Sequence, residues 1–537
     1  MSMEVDRMLA RGGDLLNPIL IKESRQSLKS RQFVVTFALV LIFAWGWSIL
    51  GVSWLGPDAL YSNPGGGMFD GYYLILAFPL LVIVPFGAFR SLASEQEDRT
   101  YELLSITALS PRQIVRGKLG SAVAQMLVYL SAIAPCLAFT YLLRGIDAPT
   151  ILYVIFWTAL GSLGLSMVSL LIGALTSQRH WQVVLSVALI VGLLLVFWIA
   201  AVIVFDWMFF ASEASFSDPV FWQINAALLT GCLAYFALVY EAAVAKITFA
   251  SDNRSTRLRG IMVAQHVLFA GWMTQAWIYA GGESEVVLVF VSFAMVHWFV
   301  MGAMMTGETT QLSQRVRRSL PQSFLGRALL TWFNPGPGAG YLLAVCGGLG
   351  AVVLAMLAVT AKDLYPLPTS SGWQSGESLV VVAFAMLAVC YLVIYLGAGL
   401  FVLRWLRRLG HSGLLLTLLI HIMLVLVGCG MPVVIQMMSP DWYRAGYSML
   451  QVSNAMWTLA HVGDGTTLPL EAPILLVILP VAAVVVFVLN LPEIVREVRF
   501  VRVARPVRVA EEDAELAAKL VPPPRPKQIS PWDVINE

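Results

Sequence analysis

Twelve times along this 537-residue chain an apolar run reaches about 20 residues, the length an α-helix needs to cross the hydrocarbon core of a bilayer. The runs are 33–56, 71–90, 119–143, 150–176, 182–205, 222–246, 261–280, 285–305, 339–360, 378–403, 413–438 and 473–491. Within lipid every backbone N–H and C=O must be bonded inside the protein, so segments of this kind fold as helices. Only 12% of the residues are charged, against roughly 25% in a soluble domain. The fold class is therefore all-α: a polytopic integral membrane protein with about twelve transmembrane helices.

The basic residues orient the helices. Of 34 Lys and Arg, all but Arg144, Lys362 and Arg444 fall in residues 1–32 and in alternate connections thereafter, ending in the tail after 491. Connections rich in Lys and Arg stay cytoplasmic, so both termini are expected there. Residues 1–32 lack a cleavable apolar core, and the first run is expected to remain as a membrane helix. Four regions result: a cytoplasmic N-terminal segment 1–32, a six-span region 33–250, a second six-span region 251–491, and a cytoplasmic tail 492–537.

Several polar stretches carry local order. Asn17-Pro18 combines a capping residue with Pro at the first helical position. Behind it Leu16, Ile19, Leu20, Ser24, Ser27 and Leu28 share one helical face, with Lys22, Arg25 and Lys29 opposite. This reads as an amphipathic helix at the cytoplasmic interface. The longest informative stretch is 94–118. Glu95 and Arg99 have ion-pair spacing, Tyr101, Leu104 and Ala108 lie toward one face, and Glu95, Arg99 and Glu102 toward another. Ser110-Pro111-Arg112-Gln113 then forms a capping box, which starts the third membrane helix near residue 111. The tail carries Arg496, Arg499, Arg502, Arg505 and Arg508 among valines, a pattern for contact with anionic lipid headgroups worth about 1 kcal/mol per charge. It then turns acidic at Glu511, Glu512 and Asp513 and ends in a proline-rich run.

Inside the spans, Pro79 and Pro85 interrupt the second helix. Ser162, Ser166, Ser169, Gly173 and Ser177 offer a face for close packing, static packing being favoured over a dimer or substrate surface. Asn334-Pro335-Gly336-Pro337-Gly338 must turn sharply. The outer segment 439–472 holds Trp442, Tyr443 and Trp457, suited to an interfacial lid.

Catalytic patterns are missing. There is no GxxxxGK[ST], HExxH or GxSxG, so the chain has no Walker loop of its own. The five cysteines all lie in apolar runs and read as small buried hydrophobes. No cofactor or metal ligand set is expected. The intramembrane ionisable residues are His266, His297 and His421, with Glu241 near a helix end. Each histidine alone reads as a neutral, hydrogen-bonded core residue. The scarcity of carboxylates argues against a proton- or sodium-driven secondary transporter.

Residues 95–104 (EQEDRTYELL), then Leu109-Ser110-Pro111, Ile114 and Gly117-Lys118, resemble the segment between the second and third helices of ABC-2 type transporter permeases. Asn17-Pro18-Ile19-Leu20-Ile21-Lys22-Glu23 is similar to that family's N-terminal interface helix. The resemblance covers roughly 15–250. Arg99 stands where the family usually has Gly, and Ala108 where Pro is common. It implies a type V exporter-like six-helix core, with six further helices that the family does not account for. It also implies a cytoplasmic ATP-binding cassette ATPase as partner, docking through Glu95, Glu97, Arg99, Thr100, Glu102, Leu103, Leu104, Ser110 and Pro111 and through the interface helix. A second permease, identical or different, membrane lipid, and residence in the inner (cytoplasmic) membrane are further implications, with no nucleic acid involved. The cargo would be amphipathic: lipid, polysaccharide, peptide or drug. The alternative is a non-transporting membrane scaffold or assembly factor of permease ancestry.

Overall fold

The computed structural model describes residues 17–55, 64–97, 110–175, 179–210, 216–248, 252–308, 323, 325, 331–364, 376–409, 413–438, 446–500 and 507–520. Every regular element among them is helical. In the first half these are α1 (Pro18–Leu28), α2 (Arg31–Leu55), α3 (Gly65–Phe78), α4 (Val84–Glu97), α5 (Pro111–Leu142), α6 (Ala148–Leu175), α7 (Arg179–Phe210) and α8 (Pro219–Ile247). In the second they are α9 (Thr256–Tyr279), α10 (Ser284–Thr306), α11 (Pro337–Leu364), α12 (Glu377–Arg408), α13 (Leu414–Met437), α14 (Ala455–Gly463), α15 (Ala472–Phe500) and α16 (Val507–Leu520).

Eleven helices among the described residues are long and apolar enough to cross a membrane, α3 and α4 together forming one of them. Twelve were expected, and the difference is α9. It has 24 residues, about 36 Å of helix, but Arg257, Arg259, Gln265, His266 and Gln275 dilute its apolar content. Its packing accounts for three of them, Arg259, Gln265 and His266, which are buried. Trp272 reaches Thr230 on α8, while Gln265, earlier on α9, reaches Ala234, later on α8. On its other side Phe269 meets Phe290 of α10, and His297, further along α10, reaches back to Met262. Thus α9 lies antiparallel between α8 and α10, with Arg259, Gln265 and His266 buried against protein and Arg257 and Gln275 exposed.

Two large hydrophobic cores hold the bundle, with a smaller one of Val82, Phe89, Ala93, Leu189 and Leu193 where α7 meets α4 and the turn before it. One is built on Phe69, Tyr72, Tyr129, Ile133 and Met167 from α3, α5 and α6, with Ile19 of α1 at its edge. The other is built on Trp298, Tyr341, Ala344, Leu396 and Leu400 from α10–α12 and takes in Leu238 of α8. Outward faces are apolar as well: Ile42, Phe43 and Trp45 on α2 and Val187, Leu195 and Trp198 on α7 are exposed. A protein apolar inside and out is solvated by lipid around its waist.

The small residues of α6 face α4. Ser162, Ser166 and Ser169 are buried, and a Cβ on Gly173 would stand 2.9 Å from the Phe89 carbonyl. The stripe therefore serves packing within the chain. Between α3 and α4 the backbone makes a π turn over Pro79–Ile83, where Val84 N–H donates to Pro79 O, five residues back. The next bond in that register would run from residue 85 to Leu80 O. Pro85 has no N–H to give, and the Ser162 hydroxyl donates to Leu80 O instead, at 2.6 Å. A proline kink in lipid needs such a substitute donor.

At the end of the bundle where α9 meets α10, Gly281 and Gly282 turn with φ of 72° and 83°, values open to glycine at little cost. Lys362 closes that turn by donating to both carbonyls, at 3.2 and 3.1 Å. Residues 446–471 cover the same end of the second core. Tyr391 and Tyr395 of α12 donate to Val452 O and Ser453 O, each at 2.6 Å, and Asn454 caps α14. Trp457 is half-buried there, while Trp442 and Tyr443 lie outside the described residues.

Candidate functional site

The opposite end of the bundle gathers the charge. Its centre in the first half is Lys118, about two turns into α5. The position of α5 is set locally. Ser110 caps it: Gln113 N–H donates to Ser110 Oγ and Ser110 N–H donates to Gln113 Oε1, the reciprocal box expected from the sequence. Asn17 caps α1 by accepting from Ile19 N–H at 3.1 Å and donates its amide to Gln113 O, tying the starts of the two helices together.

The helix α1 then lies along α5 through its apolar side. A Cβ on Gly117 would fall 2.7 Å from Ile19 Cβ, and one on Gly120 would fall 2.7 Å from Leu20 Cδ1. Ser27 and Ser121 share a hydrogen bond at 3.1 Å. Lys22, Arg25 and Lys29 are exposed on the far side. The close approach requires glycine at 117. Gly117→Leu should force α1 off α5 at an overpacking cost of about 1–3 kcal/mol. Limited proteolysis at Lys22, Arg25 and Lys29 should then become markedly faster than in the parent protein; equal rates would show that the contact does not hold α1 down.

Contact with α1 leaves the next residue of α5 in the joint. Lys118 is 2% exposed. Its ammonium reaches Glu95 at 3.0 Å, Glu23 at 3.2 Å and the Ser91 carbonyl at 2.9 Å. The ammonium donates to Glu23 and to the Ser91 carbonyl and forms an ion pair with Glu95, and the partners come from two helices: α1 for Glu23, the last turns of α4 for Ser91 and Glu95. The joint opens on a polar cavity of about 420 Å³ whose wall also carries Lys22, Arg90 and Gln125.

The sequence-derived residues divide accordingly. Glu95 turns inward to Lys118, a partner on another helix; Arg99, its expected partner four residues on, lies outside the described residues, as do Thr100, Glu102, Leu103 and Leu104. Glu97 ends α4 and pairs with Arg179 of α7 at 3.4 Å, both largely exposed, so that pair contributes little. Ser110 and Pro111 begin α5. Glu241, near the end of α8, binds Arg112, and Tyr240 accepts from Arg116 at 3.0 Å, so α8 joins the same end. Of the tail, Arg496 is exposed and pairs with Glu493, and Arg508 pairs with Glu512 at 3.6 Å on α16. The side chain of Arg499 and all of Arg502 and Arg505 lie outside the described residues.

The second half has its own charged joint at this end, which the sequence reading missed. Arg259 of α9, fully buried, bonds Glu308 and the carbonyls of Trp332 and Gly336. Glu497 of α15 accepts from Gly338 N–H at 2.8 Å and Ala339 N–H at 2.7 Å, the first free donors of α11. Glu493 stands beside Arg404 and Arg496, and Arg404 also donates to Asn490. The available signal was Asn490, Glu493 and Glu497 at spacings of three and four, which places them on one helical face. Asp70, one residue before the expected start of its span, lies within α3.

Of the three membrane histidines, two fit the expected core role: His297 donates to Met262 O at 3.2 Å and His421 Nδ1 meets Thr417 O at 2.8 Å. His266 does not, since both its ring nitrogens are buried without a partner. No cluster of His, Cys, Asp and Glu among the described residues could hold a metal ion. The arrangement can transmit displacement between helices and bind ions or headgroups; no catalytic set is assembled among the described residues.

Comparison with protein-family models, curated proteins and solved structures finds no match for this chain. Fold and composition together define its class: it is a multi-pass, all-helical integral membrane protein.

Proposed function

We propose that the chain is the membrane-spanning permease subunit of an ATP-binding cassette transporter of ABC-2 type, which exports an amphipathic cargo when a separate cytoplasmic ATPase hydrolyses ATP. The observation that carries this reading is the Lys118 joint. It binds the interface helix, the end of α4 that leads into residues 98–109, and the start of α5 into one unit. A partner that pushed on 98–109 or on α1 would move all three together, because a buried cation with two carboxylates is costly to separate. In the same reading the alternating basic connections place this end in the cytoplasm, α9 makes a twelfth crossing, and the membrane is the inner one. The chain performs no bond chemistry and works with a second permease copy or homologue.

The test is affinity purification of the full chain from its native membrane, followed by ATPase and transport measurements. An ATPase should co-purify. The double variant Glu97→Lys, Glu102→Lys should keep the ATPase bound more weakly and lower cargo transport at least tenfold relative to ATP turnover. Absence of any ATPase, together with an unchanged phenotype for the variant, would overturn the proposal and leave the scaffold reading.

A further inference from the structure

Where α8 and α9 run antiparallel, their surfaces enclose a cavity of about 560 Å³ together with the neighbouring face of α10. That is within the range of small-ligand sites. No Asp, Glu, Lys or Arg lines it. Its rim includes Ile224, Leu228, Tyr235, Tyr279 and Phe293, all exposed on the lipid-facing side of the bundle. With α9 crossing the membrane beside α8, as in the reading above, the groove opens sideways into the bilayer. From His266 to Tyr279 the groove follows thirteen residues of α9, about 20 Å of helix. One leaflet's share of the ~30 Å hydrocarbon core is shorter than that.

The deep end of this groove is polar. His266 is 9% exposed and Gln265 6% exposed. Both ring nitrogens of His266 and the side-chain oxygen of Gln265 are buried without a hydrogen-bond partner, while the Gln265 amide group is spent on Ala234 O at 3.2 Å. His297 borders the same space and uses Nε2 on Met262 O. A neutral imidazole offers one N–H and one lone pair, and Gln265 offers a further acceptor. Each such group left unpaired in an apolar surrounding costs about 1–3 kcal/mol. The group that matches this set is one that both donates and accepts: a hydroxyl. An anionic or cationic head would find no counter-charge there and would carry its desolvation cost unrelieved.

We propose that the α8–α9 groove binds a neutral, hydroxyl-bearing lipid, with the hydroxyl between His266 and Gln265 and the hydrocarbon chain along the groove toward Tyr279. The site is independent of the Lys118 joint and stands whether or not an ATPase docks at the other site.

The test uses the purified full chain in detergent and a diacylglycerol carrying a photoreactive diazirine in one acyl chain, with phosphatidic acid of the same chains as control. The diacylglycerol should crosslink to peptides within 220–235 and 265–279, and at least fivefold more than phosphatidic acid. Two variants separate binding from folding. Gly231 lines the groove, and a Cβ there meets no atom within 4 Å. Gly231→Leu therefore starts its side chain in open space within the groove and should cut labelling at least fivefold. The pair Gln265→Leu, His266→Phe should cut diacylglycerol labelling as strongly while leaving phosphatidic acid labelling unchanged. Equal labelling by the two lipids, or labelling indifferent to Gly231→Leu, would show bulk lipid in a surface furrow and overturn the assignment.

Discussion

Lys118→Met should destabilise the protein by about 3–5 kcal/mol and release α1, because it removes one partner from a buried ion set and leaves two carboxylates behind. Methionine keeps the length and apolar stem of lysine, so the change isolates the ammonium. Glu23 and Glu95 both lie within 3.2 Å of that nitrogen, with side-chain exposures of 12% and 14%. Without it they face each other at the edge of the polar cavity, and the Ser91 carbonyl loses the side-chain donor that Lys118 supplies. The sign is checked by a second variant. Lys118→Met with Glu23→Gln and Glu95→Gln has no charge left to strand, and replacement of a whole buried ion set is often close to neutral. It should recover most of the lost stability, read by denaturant unfolding in detergent. Under the transporter reading, the neutral set should also weaken the tie between α1 and α4 that passes motion onward. ATP turnover by the associated ATPase should then persist while transport falls. A single variant that unfolds at the parent's denaturant concentration would show that the joint is merely tolerated.

How much of this was legible in the sequence follows from the range of each interaction. The capping box at Ser110–Gln113 is three residues long, and the amphipathic split of α1 repeats within one helix; both were readable because spacing alone fixes them. The membrane helices were readable because a lipid environment demands about 20 apolar residues in a row. The ends of those helices were not. The apolar runs stop at 71 and at 491, where Asp70 and Pro492 interrupt them. The helices run on past both, to Gly65 and Phe500, because Asp70, Glu493 and Glu497 sit in end turns where protein shields them. Glu95 shows the same limit. Spacing paired it with Arg99 on its own helix, whereas its buried partner comes from α5, and nothing in a linear pattern announces a contact between helices. The polar face of α9 was half-legible: Gln265 and His266 lowered its apolar content, but only the position between α8 and α10 shows that one stays bonded in part and the other not at all.

The turn Asn334–Gly338 reads in sequence as a breaker, and Glu497 explains why it must be glycine-rich. A Cβ on Gly336 would fall 2.4 Å from Glu497 Oε2, and one on Gly338 would fall 3.1 Å from Ile494 N. Helix α15 thus crosses directly over the start of α11, close enough for its carboxylate to serve as the cap that α11 lacks. Pro337 occupies the first position, where no N–H is needed, and Glu497 takes the next two donors. Glu497→Leu should leave both N–H groups buried and unpaired, at about 1–3 kcal/mol each. Glu497→Gln keeps an acceptor oxygen and should lose only the charge-assisted share, about 1 kcal/mol. Hydrogen exchange separates the two. Amides at the start of α11 should exchange at least thirtyfold faster in Glu497→Leu and no more than about tenfold faster in Glu497→Gln, tenfold being about 1.4 kcal/mol. If both variants exchange at the parent's rate, α11 is held by its apolar face alone and the crossing of α15 contributes no cap. If Glu497→Gln equals Glu497→Leu, the charge and not the acceptor geometry is what counts, and Arg259, buried beside Gly336, becomes the partner to vary next.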